Sequence, residues 1–205
     1  MSLKPPETDD DLYVRLRAGD ETAFISLYRR RQAAIYRFAL HMCGSASQAE
    51  DVAQEVFLAL LRDECGYDST RGTLSGYLFG IARKLLLRHL ERTRSDVPIE
   101  SDNEDSPAMV ELAVDDSPLD DLTHREGIDS LRRAIRTLPR RYREVVVLCD
   151  LEEVDYADAA GVLSCPIGTV RSRLHRARAL LLEKLNQERH YKPGVNALKP
   201  IRCVI

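Results

Sequence analysis

Apolar residues return every three or four positions through most of this chain, the spacing that gathers them on one side of an α-helix. Between Asp20, a residue suited to capping a helix start, and Gly44, suited to ending one, Phe24, Leu27, Tyr28, Ile35, Phe38 and Met42 make such a stripe. The next segment, 47–62, turns Ala49, Val52, Ala53, Val56 and Leu60 inward and leaves Asp51, Gln54, Glu55, Leu58 and Arg62 outside. From 74 to 92, Leu74, Tyr77, Leu78, Ile81, Leu85 and Leu90 keep the period, with Arg83, Lys84, Arg88, Arg92 and Arg94 alongside, so this helix is basic as well as amphipathic. Periodicity therefore predicts an all-α chain.

The pattern is most informative over 155–184. Asp155 can cap a short helix whose Ala157, Ala160, Val162 and Leu163 face a core. Leu163-Ser164-Cys165 then leaves that helix, and Pro166 suits the first position of another, where its missing N–H is no loss. In the second helix Val170, Leu174, Ala177 and Leu181 superimpose, while Arg171, Ser172 and His175 project from the other side with Arg176 and Arg178 on the flanks. Between Pro166 and Lys184 the cations Arg171, Arg173, Arg176, Arg178 and Lys184 face only Glu183. Guanidinium forks match guanine edges and phosphate oxygens, so the arrangement reads as a DNA-binding helix-turn-helix rather than a solvated helix face.

Composition divides the chain without changing that reading. At 205 residues with 44% apolar and 31% charged residues, it suits two small domains better than one large core. From Asp96 to Glu126 there are eleven acidic residues against the single Arg125, and Pro98, Pro107 and Pro118 interrupt any period. This is expected to be a flexible acidic linker, either a solvated spacer or an arm that mimics nucleic acid by charge. The net charge of −3 is thus the sum of basic helices and an acidic connection, so it does not oppose DNA binding.

No segment approaches the ~20 apolar residues of a membrane span, and the N-terminus lacks the apolar core of a secretory signal, so a cytoplasmic protein without membrane insertion is expected. Cys43, Cys65, Cys149, Cys165 and Cys203 show no metal-ligand spacing and read as reduced thiols. No glycine-rich nucleotide loop, paired-carboxylate site or nucleophile triad stands out, so no metal, cofactor or catalytic residue is assigned. Ahead of the basic helix, the loop GYDSTRGTLSG carries Gly66, Gly72 and Gly76 among small polar residues, a composition able to wrap closely around an extruded base or a backbone.

Several of these pieces occur in a recognisable order. They are Phe24-x-x-Leu27-Tyr28, Ala49-Glu50-Asp51-Val52-Ala53-Gln54-Glu55-Val56-Phe57, Gly76-Tyr77-Leu78-x-x-Ile81-Ala82-Arg83, an acidic linker, Leu138-Pro139-x-x-Tyr142-Arg143 and Gly168-Thr169-Val170-Arg171-Ser172-Arg173. Over residues 10–185 the chain resembles bacterial sigma-70 factors, and more narrowly their compact extracytoplasmic-function group. Tyr77 and Lys84 depart from the pattern, since many relatives have Trp and Asn there.

The resemblance implies a first domain over 10–95 that docks on core RNA polymerase through Asp51, Gln54, Glu55 and Leu58. In the same domain, Tyr67, Asp68, Ser69, Thr70 and Arg71 would pocket a flipped base of the minus-ten element, and Arg83, Lys84 and Arg88 would hold the strand. It implies a linker over 96–126 and a helix-turn-helix domain over 127–188, built on helices at 128–138 and 142–151, with Arg140, Arg141 and Arg143 available to phosphates. On the minus-thirty-five element, Arg171, Ser172, His175 and Arg176 would face base edges, and Thr169, Arg173 and Arg178 phosphates. Core polymerase, promoter DNA and an anti-sigma factor, in many relatives one anchored in the inner membrane, are the implied partners; residues 189–205 receive no role. The competing reading is a stand-alone regulator that binds an operator without polymerase, but the chain shows no sustained heptad seam for the dimer such a protein needs.

Overall fold

The computed structural model describes residues 7–62, 66–95 and 122–190, with side chains described for all of these except 92–95, 122–126 and 188–190. Among the described residues there are eight α-helices and no strand. Most of the acidic linker, the tail beyond residue 190, Cys65 and Cys203 lie outside them.

The first four helices form one bundle: α1 (Asp9–Arg17), α2 (Glu21–Cys43), α3 (Ala46–Arg62) and α4 (Leu74–Ser95). Helix α2 starts where its cap predicts, with the Asp20 carboxylate accepting from Thr22 N at 2.9 Å and Ala23 N at 3.4 Å. It ends at Gly44, whose φ of 75° is the left-handed conformation that glycine adopts without steric cost. The core contains Leu27, Ile35, Phe38 and Met42 of α2 together with Ala49, Val52, Ala53, Val56 and Leu60 of α3, as their periods require. Phe24 and Tyr28 lie at its margin, where both rings pack against Phe57.

Two features of this bundle depart from the sequence expectation. Helix α1 was not anticipated: its run of acids hides a capping box, in which Thr8 Oγ1 accepts from Asp11 N at 3.2 Å while Asp11 Oδ2 accepts from Thr8 N at 3.0 Å. Only Leu12 and Tyr13 of α1 are buried, too few to set a period. In α4 the buried residues are Leu74, Leu78, Phe79, Ala82 and Leu86, with Tyr77, Ile81 and Leu85 only half-buried. The inward face is rotated from the expected one because α4 packs on α2 and α3 on one side and α7 on another.

The second group is α5 (Leu122–Arg136), α6 (Arg140–Val146), α7 (Tyr156–Leu163) and α8 (Ile167–His190). Helix α5 takes in residues 122–126, which the sequence placed in the linker. Helix α6 widens into a π-turn over Val147–Leu151, and Ser164, at φ 52°, ends α7. Pro166 lies just before α8, its carbonyl accepting from Thr169 N at 2.8 Å. Val170, Leu174, Ala177 and Leu181 are all buried as expected, whereas α7 buries Ala159 with Val162 and Leu163 and leaves Ala157 exposed. Asp155 stands at the N-cap of α7, but its side chain makes no capping bond.

The two groups pack on one another. Helix α4 lies against α7, and α2 against α5, α6 and the π-turn, so the apolar core runs continuously through both.

Candidate nucleic-acid interface

Burial of the Val170 to Leu181 stripe against α5, α6 and α7 leaves the opposite face of α8 outside the core. Arg171, Ser172, His175 and Arg176 are exposed there, and Thr169 and Arg173 lie at its edges. Ser172 Oγ turns back to donate to Thr169 O at 3.0 Å, a local bond that a hydroxyl can exchange for another acceptor. The Tyr142 hydroxyl is pulled below its ordinary pKa, first by a hydrogen bond from Arg176, while the Arg141 guanidinium sits 5.0 Å above the Tyr142 ring. Arg178 projects differently. Its Nη2 and Nε donate to the Asp150 carboxylate at 2.6 Å and 3.0 Å, and that bond holds the guanidinium proton above its usual affinity.

The three arginines at the α5–α6 bend separate in the structure. Arg140 and Arg141 reach the surface, Arg140 Nε donating to Glu144 Oε1 at 3.2 Å. Arg143 is buried, with Nη2 donating to Arg136 O at 2.5 Å and Leu138 O at 3.1 Å and Nη1 to Met42 O at 3.4 Å. It therefore caps the end of α5 and cannot serve phosphates, contrary to expectation. Sequence offers no warning, because three nearby arginines look alike until the helix phase is known.

The loop before α4 is tightly organised. Asp68 Oδ1 accepts from Thr70 N at 2.9 Å and from Thr70 Oγ1 at 2.7 Å, contacts that hold its carboxyl below the usual range. Asp68, Ser69, Thr70 and Arg71 are exposed. Tyr67 is half-buried between Tyr13 and Tyr77, its hydroxyl directed at Asp10 Oδ1 at 2.6 Å and Gly72 O at 3.0 Å, and burial raises its pKa. The tyrosine thus shapes the loop from below. On α4, Lys84 and Arg88 are exposed, but Arg83 is engaged by the second group of helices. Its Nε donates to Glu144 Oε1 at 3.1 Å and its Nη1 to Val162 O at 3.4 Å.

Asp51, Gln54, Glu55 and Leu58 all lie on the exposed outer face of α3, Leu58 being 46% exposed. Beside them the structure adds a feature the sequence did not single out. Ile25 and Leu61, 47% and 48% exposed, edge a groove of about 530 Å³ floored by Leu16, Phe24 and Leu60. Isolated exposed residues of this kind look ordinary in a sequence; their adjacency appears only when α1, α2 and α3 are assembled. Among the described residues, no cluster of His, Cys, Asp and Glu has the geometry to hold a metal, and no helix is long and apolar enough to cross a membrane.

Comparison with known proteins bears on both groups. Residues 27–95 match the family model "Sigma-70 region 2" and residues 128–181 match "Sigma-70, region 4". The chain is 36% identical over 172 residues to the ECF RNA polymerase sigma factor SigE of Mycolicibacterium smegmatis, covering 82% of this chain and 64% of that longer protein. It is 32% identical over 187 residues to the ECF RNA polymerase sigma-E factor of Escherichia coli, covering 87% of this chain and 94% of that one. In structure it is similar to the sigma factor RpoE of Bartonella quintana, solved in complex with the anti-sigma factor NepR, with a TM-score of 0.62, 25% identity and coverage of 80% and 96% of the two chains.

Proposed function

Because the chain belongs to the extracytoplasmic-function group of the sigma-70 family, and so is an alternative sigma factor directing transcription initiation, we propose a division of that work among its surfaces. Residues 10–95 dock on core RNA polymerase through Asp51, Gln54, Glu55 and Leu58, with the Ile25–Leu61 groove alongside as an apolar anchor. The loop from Tyr67 to Arg71 receives an unstacked base, and Lys84, Arg88 and, once released, Arg83 hold the strand. Unpairing a base costs a few kcal/mol, which stacking, hydrogen bonds and polymerase binding offset together.

Residues 127–188 place α8 in the major groove of the upstream element. Arg171, Ser172, His175 and Arg176 face base edges, and Thr169 and Arg173 face phosphates. Arg178 contributes to phosphate binding after exchanging Asp150 for a backbone oxygen. Each good bidentate contact discriminates by about 1 to 3 kcal/mol, so neither module suffices alone and the linked pair selects the promoter.

The chain supplies recognition and strand opening, works in the cytoplasm where polymerase acts, and performs no catalysis of its own. Like its structural relative it is held by an anti-sigma factor. The observation that carries this reading is that the arginine face of α8 and the outer face of α3 both remain outside a core that buries the opposite sides of the same helices.

The test is run-off transcription with core polymerase on a promoter library. Arg171→Ala should lose start-site selection while still binding core, and a Gln54→Ala/Leu58→Ala double variant should lose core binding. Unchanged output from both would overturn the assignment.

A further inference from the structure

The arginine face of α8 is braced from outside the helix. Tyr142, in the first turn of α6, belongs to the apolar core with only 9% of its surface exposed, and α6 lies directly against α8. Its backbone is fixed as well: Tyr142 N donates to Pro139 O at 2.9 Å, and the next residue, Arg143, ties the same turn to Arg136 O and Leu138 O. A phenol has two rotatable side-chain bonds, and burial of its ring leaves little freedom in either, so the hydroxyl is a fixed point. The Arg141 guanidinium covers the ring 5.0 Å from its centroid. From the other helix, Arg176 donates to the hydroxyl, and these cations hold the phenolic proton less tightly than usual, Arg176 first and Arg141 after it.

Arg176 itself is exposed. Its neighbour Ala177 is fully buried in the stripe that packs α8, so Arg176 emerges about 100° round from it, at the rim of the α8 packing. A long exposed arginine carries rotamer freedom that a base contact must overcome. The bond to Tyr142 removes part of that freedom beforehand. A guanidinium has five donors in one plane, so one given to the phenol leaves a fork for O6 and N7 of a guanine. Arg178 shows the opposite arrangement: its partner is the Asp150 carboxylate, an anion that competes with phosphate. The neutral hydroxyl restrains Arg176 without neutralising it.

We propose that Tyr142 is a positioning residue for base recognition: its hydroxyl, fixed by α6, holds the Arg176 guanidinium at the angle from which it reads one base pair of the upstream element. Preference at that base pair is then set jointly by α8 and by a residue outside the recognition helix. This rests on the reading of Arg176 as a base contact. Without the hydroxyl, Arg176 stays charged and close to DNA but divides its time between the base edge and nearby phosphates, so affinity largely survives while discrimination falls.

The test uses the full chain assembled with core polymerase and a promoter library randomised over the minus-thirty-five element, each promoter identified by a barcode in its run-off transcript. Arg176→Ala marks the base pair that Arg176 reads, as the position whose preference collapses. Tyr142→Phe keeps the ring, the Arg141 contact and every charge, and removes the hydroxyl alone. It should relax the preference at the marked position about fivefold, the effect of one hydrogen bond, and leave the other positions as in the wild type. The salt dependence of promoter binding should not change, since no cation is removed. In the Arg176→Ala background, Tyr142→Phe should add nothing at that position.

An unchanged preference at the marked position in Tyr142→Phe would overturn the inference. Equal relaxation at every position, together with a lowered thermal midpoint, would make Tyr142 a packing residue and overturn it too. So would a full further loss when Tyr142→Phe is added to Arg176→Ala, because the hydroxyl would then act through another group. If Arg176→Ala marks no position, the reading of Arg176 as a base contact fails, and the inference with it.

Discussion

Arg143 offers the sharpest test of how the second module is held together. The residue is 7% exposed, and burial, followed by the nearby Arg136 and Arg140, lowers its pKa from the ordinary arginine value. What compensates is a fork: Nη2 serves the carbonyls of Arg136 and Leu138 at 2.5 Å and 3.1 Å, the first the last carbonyl of α5 and the second in the bend that follows it. The bond to Met42 O, at 3.4 Å, adds little. Arg143→Ala removes two charge-assisted bonds worth about 1.5 to 3 kcal/mol each and returns part of the desolvation cost, leaving a net loss of about 3 kcal/mol. Arg143→Met keeps the volume but strands the same carbonyls, and should lose about 2 kcal/mol.

Equilibrium urea unfolding followed by circular dichroism at 222 nm measures this. With a slope of about 2 kcal/mol/M, Arg143→Ala should shift the midpoint by roughly 1.5 M. A loss below about 1 kcal/mol in both variants, accompanied by weakened DNA binding, would refute the structural role and restore Arg143 to the phosphate contacts.

Further expectations follow from other contacts. His41 is held at a pKa of about 4, first by burial and then by Arg132, Arg136, Arg143 and Arg37 around it. Protonation is thus disfavoured in the folded chain, and stability should fall as pH drops from about 6.5 toward 4, by up to about 1.4 kcal/mol per pH unit; a His41→Gln variant should show a flatter pH dependence of its thermal midpoint. Asp150→Ala frees Arg178 while costing less than about 1 kcal/mol, since the pair is exposed, and should tighten duplex binding, whereas Arg178→Ala should flatten the salt dependence of duplex binding by about one phosphate equivalent; an unchanged salt slope in Arg178→Ala would remove Arg178 from the phosphate contacts. Gly44→Ala places a Cβ at a φ of 75° and should cost about 1 kcal/mol in thermal or urea unfolding, whereas Gly80→Ala, inside α4 with nothing within 4 Å of its Cβ, should gain about 0.5 to 1 kcal/mol.

Periodicity carried far where a helix has one buried side. The stripes of α3 and α8 were legible residue by residue, because each packs one face and leaves the other outside the core. It failed where two sides are covered. Helix α4 buries Phe79, Ala82 and Leu86 against its own bundle while Tyr77, Ile81 and Leu85 are half-covered, so no single stripe describes it. Helix α1 was hidden by its acids, whose capping role depends on Thr8 geometry rather than on hydrophobic spacing.

The candidate surfaces show the same division. Arg171 and His175 could be placed from the α8 period alone. The acids that meet the cations, Glu144, Asp150, Glu152 and Asp158, carry no pattern of their own. Their partners are Arg140, four residues away, Arg178, and, across the junction of the modules, Arg83, Arg37 and Thr73, the last three more than sixty residues distant in sequence.

On the proposed function, this chain opens promoter DNA only together with polymerase. Permanganate reactivity of unpaired thymines reads this directly, on a promoter drawn from the run-off library, with core enzyme alone, the chain alone and both combined. Reactive thymines are expected around the minus-ten element in the combined sample only. Thymines made reactive by the chain without core enzyme, or none in the combined sample, would contradict it.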